Sequence, residues 1–338
     1  MITKTGVALI GTGFWGRRLA EAVKRTPTLE LISCYSRNEE KRNAFAADFD
    51  CSAAASFEEA ISYPKVHGVI LATPNNVHAE QTAAIAALGK CVFVEKPIAD
   101  TLEDARAMQR ACEEAGVTLL VGHSFRRLGA ARKVKQLIDE GAIGKPVLAE
   151  ANFSLPGMLT PEKWRYYRET CPGGPLMQLG IHHADTLQYW LGPVVKVQGI
   201  FKRLHTDAEI DDLASAQLEF ESGIVGTLNS SYVSPKTFDL RVYGTEGVVD
   251  YHTDMSIWPN AAKMDEATQL RMWTKNEQKE ISFEPVDMLV EELDEFGRCI
   301  SDAGRAETGP REAIQALQVI LGAIESAESG RGAVITKG

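Results

Sequence analysis

Val7-Ala8-Leu9-Ile10 runs without a polar residue into Gly11-Thr12-Gly13-Phe14-Trp15-Gly16, and a helical pattern from Trp15 to Arg25 follows at once. A G-x-G-x-x-G turn also serves any tight strand-to-helix connection, but a strand before it and a helix after it is the setting that dinucleotide binding needs. Gly11 then permits the turn, Gly13 lets a pyrophosphate approach the backbone, and Gly16 lets the helix pack on the strand. The phosphates would rest among the unpaired N–H groups at the positive end of the helix.

The same alternation continues outward. Leu29–Tyr35 reads as a strand, Glu39–Asp48 as a helix, Gly68–Ala72 as a strand, Val77–Leu88 as a helix, and Cys91–Val94 as a strand. Leu102–Ala115 is a helix and Val117–Val121 a strand. Strands this apolar are buried on both faces, which implies a parallel sheet covered by helices, a doubly wound α/β domain of the Rossmann type over residues 1–123. After His123 the pattern changes. A helix from Arg132 to Glu140 leads into strand-like segments at Val147–Phe153, Val194–Lys202, Ala214–Phe220, Ile224–Tyr232, Phe238–Tyr243 and Val248–Tyr251, with turns at Glu221-Ser222-Gly223 and Gly244–Gly247. Apolar and polar residues alternate there, so residues 124–338 are expected to form an α+β domain, an open, mostly antiparallel sheet with flanking helices that binds substrate and oligomerises. Helices at Val286–Ser301 and Arg311–Glu328 close the chain, and the C-terminal helix is free to pack back on the first domain. The open sheet is expected to expose a large apolar face, and hence to give a homodimer or homotetramer of closed symmetry.

The 338 residues carry 36 Lys and Arg against 46 Asp and Glu, a net charge of −10. That balance repels phosphate backbones and argues against a nucleic-acid partner. The densest basic run, Arg126, Arg127, Arg132, Lys133 and Lys135, reads as the solvated face of a helix. Six scattered cysteines show neither zinc spacing nor a disulfide framework, no metal site is expected, and no apolar window spans a bilayer, so a cytoplasmic protein is expected.

Three further clusters carry chemistry. An acidic residue at the end of the second strand would accept from the ribose hydroxyls of NAD; here Tyr35-Ser36-Arg37-Asn38 offers none, and Ser36 with Arg37 suits the 2′-phosphate of NADP(H) better, a preference over NAD. Thr73-Pro74-Asn75 with His78, and Glu95-Lys96-Pro97, lie at the carboxyl ends of parallel strands, where ligands bind in open α/β sheets. Lys96 is either a surface lysine before a helix-starting proline or a group that steadies a developing alkoxide. In Gly180-Ile181-His182-His183-Ala184-Asp185, adjacent histidines point apart, so at most one faces a cleft. Asp185 shares the helical face of His182, which is either a core histidine or an acid/base group.

Together these pieces resemble the Gfo/Idh/MocA family, that of glucose–fructose oxidoreductase, inositol dehydrogenase and the rhizopine-catabolism oxidoreductases, over nearly the whole chain. The resemblance implies an NAD(P)-dependent enzyme that passes a hydride between nicotinamide and a secondary alcohol or ketone of a sugar, polyol or related cyclic alcohol. It implies Lys96 as the catalytic lysine and His182 as the acid/base, with Gly11, Thr12, Gly13, Phe14, Trp15, Gly16, Ser36, Arg37, Thr73, Pro74, Asn75, His78, Glu95 and Lys96 along the cofactor. Gln178 stands where many members carry an aspartate. It hydrogen-bonds a sugar hydroxyl but cannot ionise, which leaves Lys96 and His182 as the working pair. Gln178, Asp185, Arg126, Trp164 and Arg165 are the expected substrate contacts, with Tyr166 and Tyr232 as further cleft candidates; Arg165 suits a carboxylate. Two rival expectations are an enzyme whose tightly held cofactor is recycled by two substrates, and a dinucleotide sensor without chemistry.

Overall fold

The computed structural model describes residues 4–157, 159–302 and 304–336. They divide into two compact units, Met1–Ser124 with Met288–Ile314, and Phe125–Asp287 with Gln315–Gly338.

In the first unit β1 (Thr5–Ile10), β2 (Leu29–Tyr35), β3 (Ser52–Ala53), β4 (Gly68–Leu71), β5 (Cys91–Glu95) and β6 (Leu119–Gly122) form a six-stranded sheet in the order β3-β2-β1-β4-β5-β6. Every pairing is parallel. Val7 to Ile10, Val69 to Leu71 and Val92 to Val94 are at most 1% exposed, as strands covered on both faces must be. Between them run α1 (Phe14–Arg25), α2 (Glu39–Phe49), α3 (Phe57–Ser62), α4 (His78–Ala86) and α5 (Leu102–Ala115). The strand order reverses between β1 and β4, the place where a doubly wound sheet opens a crevice at its strand ends.

α8 (Met288–Asp302) and the chain from it to Ile314 also belong here. Sequence reasoning had left this stretch with the second domain, but its apolar face fits this one. Phe296 lies edge-on to Phe93 at 5.9 Å. A Cβ on Gly68 would come within 2.6 Å of Ile300, so the absence of a side chain there is what admits the helix. Thr308 then donates to the carbonyl of Val121 at 2.8 Å.

The second unit is built on one nine-stranded sheet. Its strands are β7 (Pro146–Ser154), β8 (Val194–Lys202), β9 (Leu213–Phe220), β10 (Val225–Ser231), β11 (Thr237–Gly244), β12 (Gly247–Thr253), β13 (Thr268–Thr274), β14 (Gln278–Glu280) and β15 (Ala333–Val334). They lie in the order β14-β13-β12-β11-β7-β10-β9-β8-β15. All neighbours are antiparallel except β7 and β10, so the sheet is mixed and mostly antiparallel. Burial alternates along β9 and β11 with the period of two that one covered face demands. The covered face packs under α6 (Gly129–Asp139), α7 (Ile181–Leu191) and the later part of α9 (Pro310–Ser329). A Cβ on Gly199 of β8 would meet the Ala323 carbonyl oxygen at 2.1 Å, and the Gly199 N–H donates to Ser326 at 3.2 Å.

Two expectations are corrected. The open face of this sheet is polar: Glu150, Asn152, Asp239, Arg241, Asp250 and His252 line a shallow groove of about 610 Å³. The alternation that put apolar residues inward put charged ones outward. Second, Arg126 and Arg127 are buried, 6% and 1% exposed, because the turn that carries them precedes α6 and points inward. All six cysteines are free thiols. Among the described residues, no helix is long and apolar enough to cross a membrane, and no group of three His, Cys, Asp or Glu residues is placed to hold a metal ion.

Candidate active site

The glycine loop has three glycines with three different needs. Gly11 has φ +98°, and a Cβ there would lie 2.4 Å from the Ala72 carbonyl oxygen. At Gly16 a Cβ would lie 1.8 Å from the Gly11 oxygen, so the start of α1 touches the turn itself. At Gly13 a Cβ would meet nothing within 4 Å. Nothing in the protein requires that glycine; it keeps open a space in front of the helix. Gly13 is also the N-cap of α1 and brings no side-chain cap, and the first turn holds no acidic residue. The residues thus fit a pyrophosphate, which supplies the acceptor that uncapped N–H groups want and the charge that the helix end favours. Phe14 is 60% exposed, with the Arg18 guanidinium 4.3 Å from its ring centroid and Trp15 edge-on at 5.6 Å.

At the end of β2, Thr12 donates to Ser36 at 2.8 Å, which ties this corner to the glycine loop. Arg37 is exposed. Sequence reasoning missed a second arginine, Arg42. Its side chain returns from α2 to donate to the Ser36 carbonyl at 2.9 Å, and its guanidinium stands 5.8 Å from the Tyr35 ring centroid. The corner therefore holds two guanidinium groups and no carboxylate before Glu39.

The loops after β4 and β5 are tied to each other. Thr73 donates to Gln81 at 2.7 Å, and Asn75, beyond Pro74, donates to Asp100 at 3.0 Å. His78, expected along the cofactor, is fully buried and braces the two loops instead. Its Nε2 lies 3.0 Å from the Thr73 carbonyl, and its Nδ1 lies 3.2 and 3.1 Å from those of Pro97 and Ile98. Burial pushes its pKa down, against the carbonyls of Thr73, Ile98 and Pro97, which raise it. The Lys96–Pro97 peptide is cis. Glu95 pairs in register with Gly122, where a Cβ would lie 3.5 Å from the carboxylate, at ordinary contact distance. Burial raises the Glu95 pKa to about 7 against the pull of Lys96. A carboxyl and an ammonium group thus sit in sequence at one strand end, with the proton on the acid easily moved near neutral pH.

In the second unit a π-helical turn, Leu176–Gly180, runs straight into α7. Such turns recur at functional sites because they rephase the side chains that follow. At Gly180 a Cβ would lie 2.7 Å from Leu176 Cδ1 and 2.9 Å from Ser230 Oγ, so any larger residue would have to displace both side chains. Gln178 and His182 are 5% and 4% exposed. The adjacent histidines do part company. His183 sits in the core between Phe153 and Phe238, ring centroids 5.6 and 4.5 Å away, with Nε2 3.3 Å from the Asn152 carbonyl. Burial lowers its pKa to about 3. His182 stacks on Phe125 at 4.1 Å and 20° between planes, and its ring also lies 5.9 Å from that of Phe153. Asp185 gives both oxygens to Arg126, at 2.8 Å from Nε and 2.5 Å from Nη2. The helical-face argument found Asp185 but not this partner.

Trp164 and Arg165 are half-buried in a short turn between β7 and the π turn, with the guanidinium 4.3 Å from the indole centroid. That loop is tied to the end of β10 by Leu155 N–H to Ser231 O at 3.0 Å and Gly157 N–H to Tyr232 O at 2.8 Å. Tyr232 is buried, which raises its pKa, while the charge of Arg165 opposes the shift. Tyr166 donates to the Asp207 carbonyl at 2.9 Å and serves the loop.

Comparison with known proteins fits both units. Residues 5–123 match the family model "Oxidoreductase family, NAD-binding Rossmann fold", and residues 131–250 match "GFO/IDH/MocA C-terminal domain". The chain is 28% identical over 336 residues to 1,5-anhydro-D-fructose reductase of Ensifer adhaerens, 98% of each. It is 29% identical to the NADP(+)-linked D-xylose 1-dehydrogenase of Haloarcula marismortui, over 87% of this chain and 82% of that one. A crystal structure described as a putative NADPH-dependent oxidoreductase of Desulfitobacterium hafniense superposes with a TM-score of 0.96 at 37% identity, over 99% of both chains. Levoglucosan dehydrogenase in complex with NADH has the same fold, TM-score 0.88 at 21% identity over 99% of this chain and 100% of the other.

Proposed function

The chain belongs to the Gfo/Idh/MocA family of NAD(P)-dependent oxidoreductases, and from that premise we propose that it oxidises a secondary alcohol of a sugar, polyol or related cyclic alcohol, or carries out the reverse reduction. The observation that carries this reading is the glycine loop, in which Gly13 alone of the three guards empty space in front of an uncapped helix. The names of the full-length relatives, an anhydrosugar reductase and an aldose dehydrogenase, support the sugar substrate.

Lys96 is assigned to polarise the carbinol oxygen and His182 to take its proton. Gln178, Trp164 and Arg165 are assigned to the sugar's hydroxyls and C–H faces; Arg126 and Asp185, which hold each other, are not. A dinucleotide bound there would supply the acceptor for the hydride of the carbinol carbon. Gly11 to Gly16 would hold its pyrophosphate, and Thr73, Pro74 and Asn75 are assigned to the same cofactor. NADP(H) is the preferred form: Ser36 is fixed by Thr12, Arg37 is exposed, and Arg42 backs the same corner. The polar sheet face carries both signs of charge, which suits the self-complementary contact of a homodimer or homotetramer. A monomer by light scattering at micromolar concentration would contradict that assembly.

Thermal shift with NAD⁺, NADH, NADP⁺ and NADPH tests the cofactor first. A ligand at 100 times its dissociation constant stabilises by about 2.7 kcal/mol. A larger shift with the phosphorylated pair supports the assignment of Ser36, Arg37 and Arg42; a larger shift with NAD(H) overturns it and leaves the dehydrogenase. The preferred form is then used to screen D-xylose, 1,5-anhydro-D-fructose and levoglucosan. No shift with any dinucleotide, in protein shown to carry none through purification, refutes the enzyme itself.

A further inference from the structure

We propose that Phe125 and Arg126, adjacent in one short turn, are positioning residues that fix His182 by gripping α7 at two points. The proposal rests on the assignment of His182 as the proton acceptor. Phe125 lies flat on the imidazole, 4.1 Å between centroids and 20° between planes. A stack of that kind blocks rotation of the imidazole about its bond to Cβ, since turning would drive its edge into the phenyl ring. The stack occupies a face of the imidazole and not the rim that carries its two nitrogens.

Phe125 cannot easily give way. Phe238 and Trp258 meet it edge-on at 5.1 and 6.3 Å, and Phe153 lies tilted against it at 5.8 Å.

The next residue grips the helix itself. Arg126 forms a bidentate pair with Asp185, which follows His182 by three residues and shares its face, and its guanidinium lies 5.0 Å from the ring centroid of Tyr189 a turn later. The two side chains are 7% and 2% exposed. A planar fork on a carboxylate sets orientation as well as distance, so this pair fixes the rotation of α7 about its axis. The need is physical. α7 follows a π-helical turn, and its first residues take their phase from a stretch outside ordinary helix geometry. One turn of chain therefore sets both the ring plane of His182 and the helix that bears it.

A merely structural Phe125 would behave as core, and a change to leucine, close in volume, would lower stability but leave the chemistry alone. The experiment compares wild type with Phe125→Leu, Phe125→Trp and His182→Ala, using the dinucleotide and sugar selected above. Expected for Phe125→Leu is a fall in kcat of about 10- to 100-fold, as for misplaced catalytic groups, with KM for the sugar and dinucleotide affinity within twofold of wild type. Phe125→Trp, which restores an aromatic face, should recover most of that loss.

A second readout does not depend on turnover. In ¹H–¹³C spectra the His182 ring protons, identified by their loss in His182→Ala, should lie upfield from the phenyl ring current and move back in Phe125→Leu. Should Phe125→Leu not fold, Phe125→Met is judged by the same two readouts. If His182→Ala loses turnover while Phe125→Leu keeps its kcat, the positioning role is refuted and the catalytic assignment survives. Ring shifts that do not change in Phe125→Leu refute the stack. If His182→Ala keeps full turnover, the catalytic assignment itself falls, and the positioning role with it.

Discussion

The two sheets of this protein solve the same burial problem in opposite ways. In the first unit the parallel strands β1, β4, β5 and β6 are apolar and buried on both faces, so nothing reactive can stand along them, and the polar residues gather at their carboxyl ends. The nine strands of the second unit are apolar on one face only, and the residues assigned to substrate come from the helix and turns laid on that face. A parallel sheet therefore announces its site by sequence position, as the residues that follow each strand. A one-sided sheet does not, because the contacts that arm it join segments far apart in the chain.

The sharpest test of that contrast takes one catalytic candidate from each unit. Lys96→Met and His182→Ala should each lower turnover by about 10²- to 10⁴-fold, the usual contribution of a positioned acid/base or charge-stabilising group. Dinucleotide binding should survive His182→Ala, which lies in the other unit from the glycine loop. A His182→Ala enzyme that loses its dinucleotide as well would mean that the two units are not separable in function.

The glycines sharpen it further. Gly16→Ala sets a Cβ 1.8 Å from a backbone oxygen and Gly199→Ala sets one 2.1 Å from another, so both should unfold or strongly destabilise their own unit. Gly13→Ala meets nothing in the protein. It should keep the melting temperature of the free protein and weaken dinucleotide affinity by tenfold or more, on the order of 1.4 kcal/mol. Equal affinity in Gly13→Ala would show that the space it guards is not the pyrophosphate's.

Opposite pH responses are expected from the two units. Glu95 has its pKa raised from 4.5 to about 7, so the folded state holds a proton that the unfolded state has lost, and its contribution to stability, full below pH 4.5, disappears as pH rises towards 7. His183 has its pKa lowered from 6.5 to about 3, so the unfolded state takes up a proton that the folded state refuses, and stability falls as pH drops from 6.5 towards 3. Each slope is at most about 1.4 kcal/mol per pH unit. Denaturant titrations across this range should find the loss towards neutral pH reduced in Glu95→Gln, and the loss towards acid reduced in His183→Gln. A wild-type slope in either variant removes that residue from the account.

Most of the first unit was readable because its cues are local. The strand at Leu29–Tyr35 and the helix at Leu102–Ala115 have the bounds that the apolar pattern gave them, and the glycine loop lies where its spacing placed it. What escaped was small or remote. Arg42 reaches the adenosine corner from the next helix, and His78 sits on the right loop but faces inward. In the second unit the strands read well by alternation, except β13, whose Thr268-Gln269-Leu270-Arg271-Met272 carries the same period and was overlooked, and the edge strands β14 and β15, too short to show a period. Its site read less well. Gln178, His182 and Asp185 were found from one segment, but Phe125 and the true setting of Arg126 depend on contacts 57 and 59 residues apart in sequence.

Helix caps give the smallest form of the same contrast. In the first unit three helices have a cap written just before them: Asn38 accepts from Lys41 N–H at 2.8 Å, Ser56 from Glu59 at 3.0 Å and Thr101 from Asp104 at 3.1 Å. In the second unit the N-terminus of α6 is capped from 136 residues away. One oxygen of Asp265 accepts from Gly129 at 2.6 Å and from Val286 at 2.9 Å, and the other accepts from Ala130 at 3.3 Å. Asp265 is 3% exposed; of its three donors Ala130 N–H is buried, while Gly129 and Val286 are half-buried. Asp265→Ala should cost about 2 to 3 kcal/mol, at roughly 1–3 kcal/mol for the buried donor left unmet and less for the two that water can reach. Thr101→Ala, at an exposed cap that water can replace, should cost about 1 kcal/mol. Equal costs by denaturant titration would mean that the distant cap adds nothing beyond a local one. A larger cost at Asp265 would show that the second unit spends a long-range contact on what the first obtains from its neighbouring residue, which is why its architecture is the harder of the two to read from sequence.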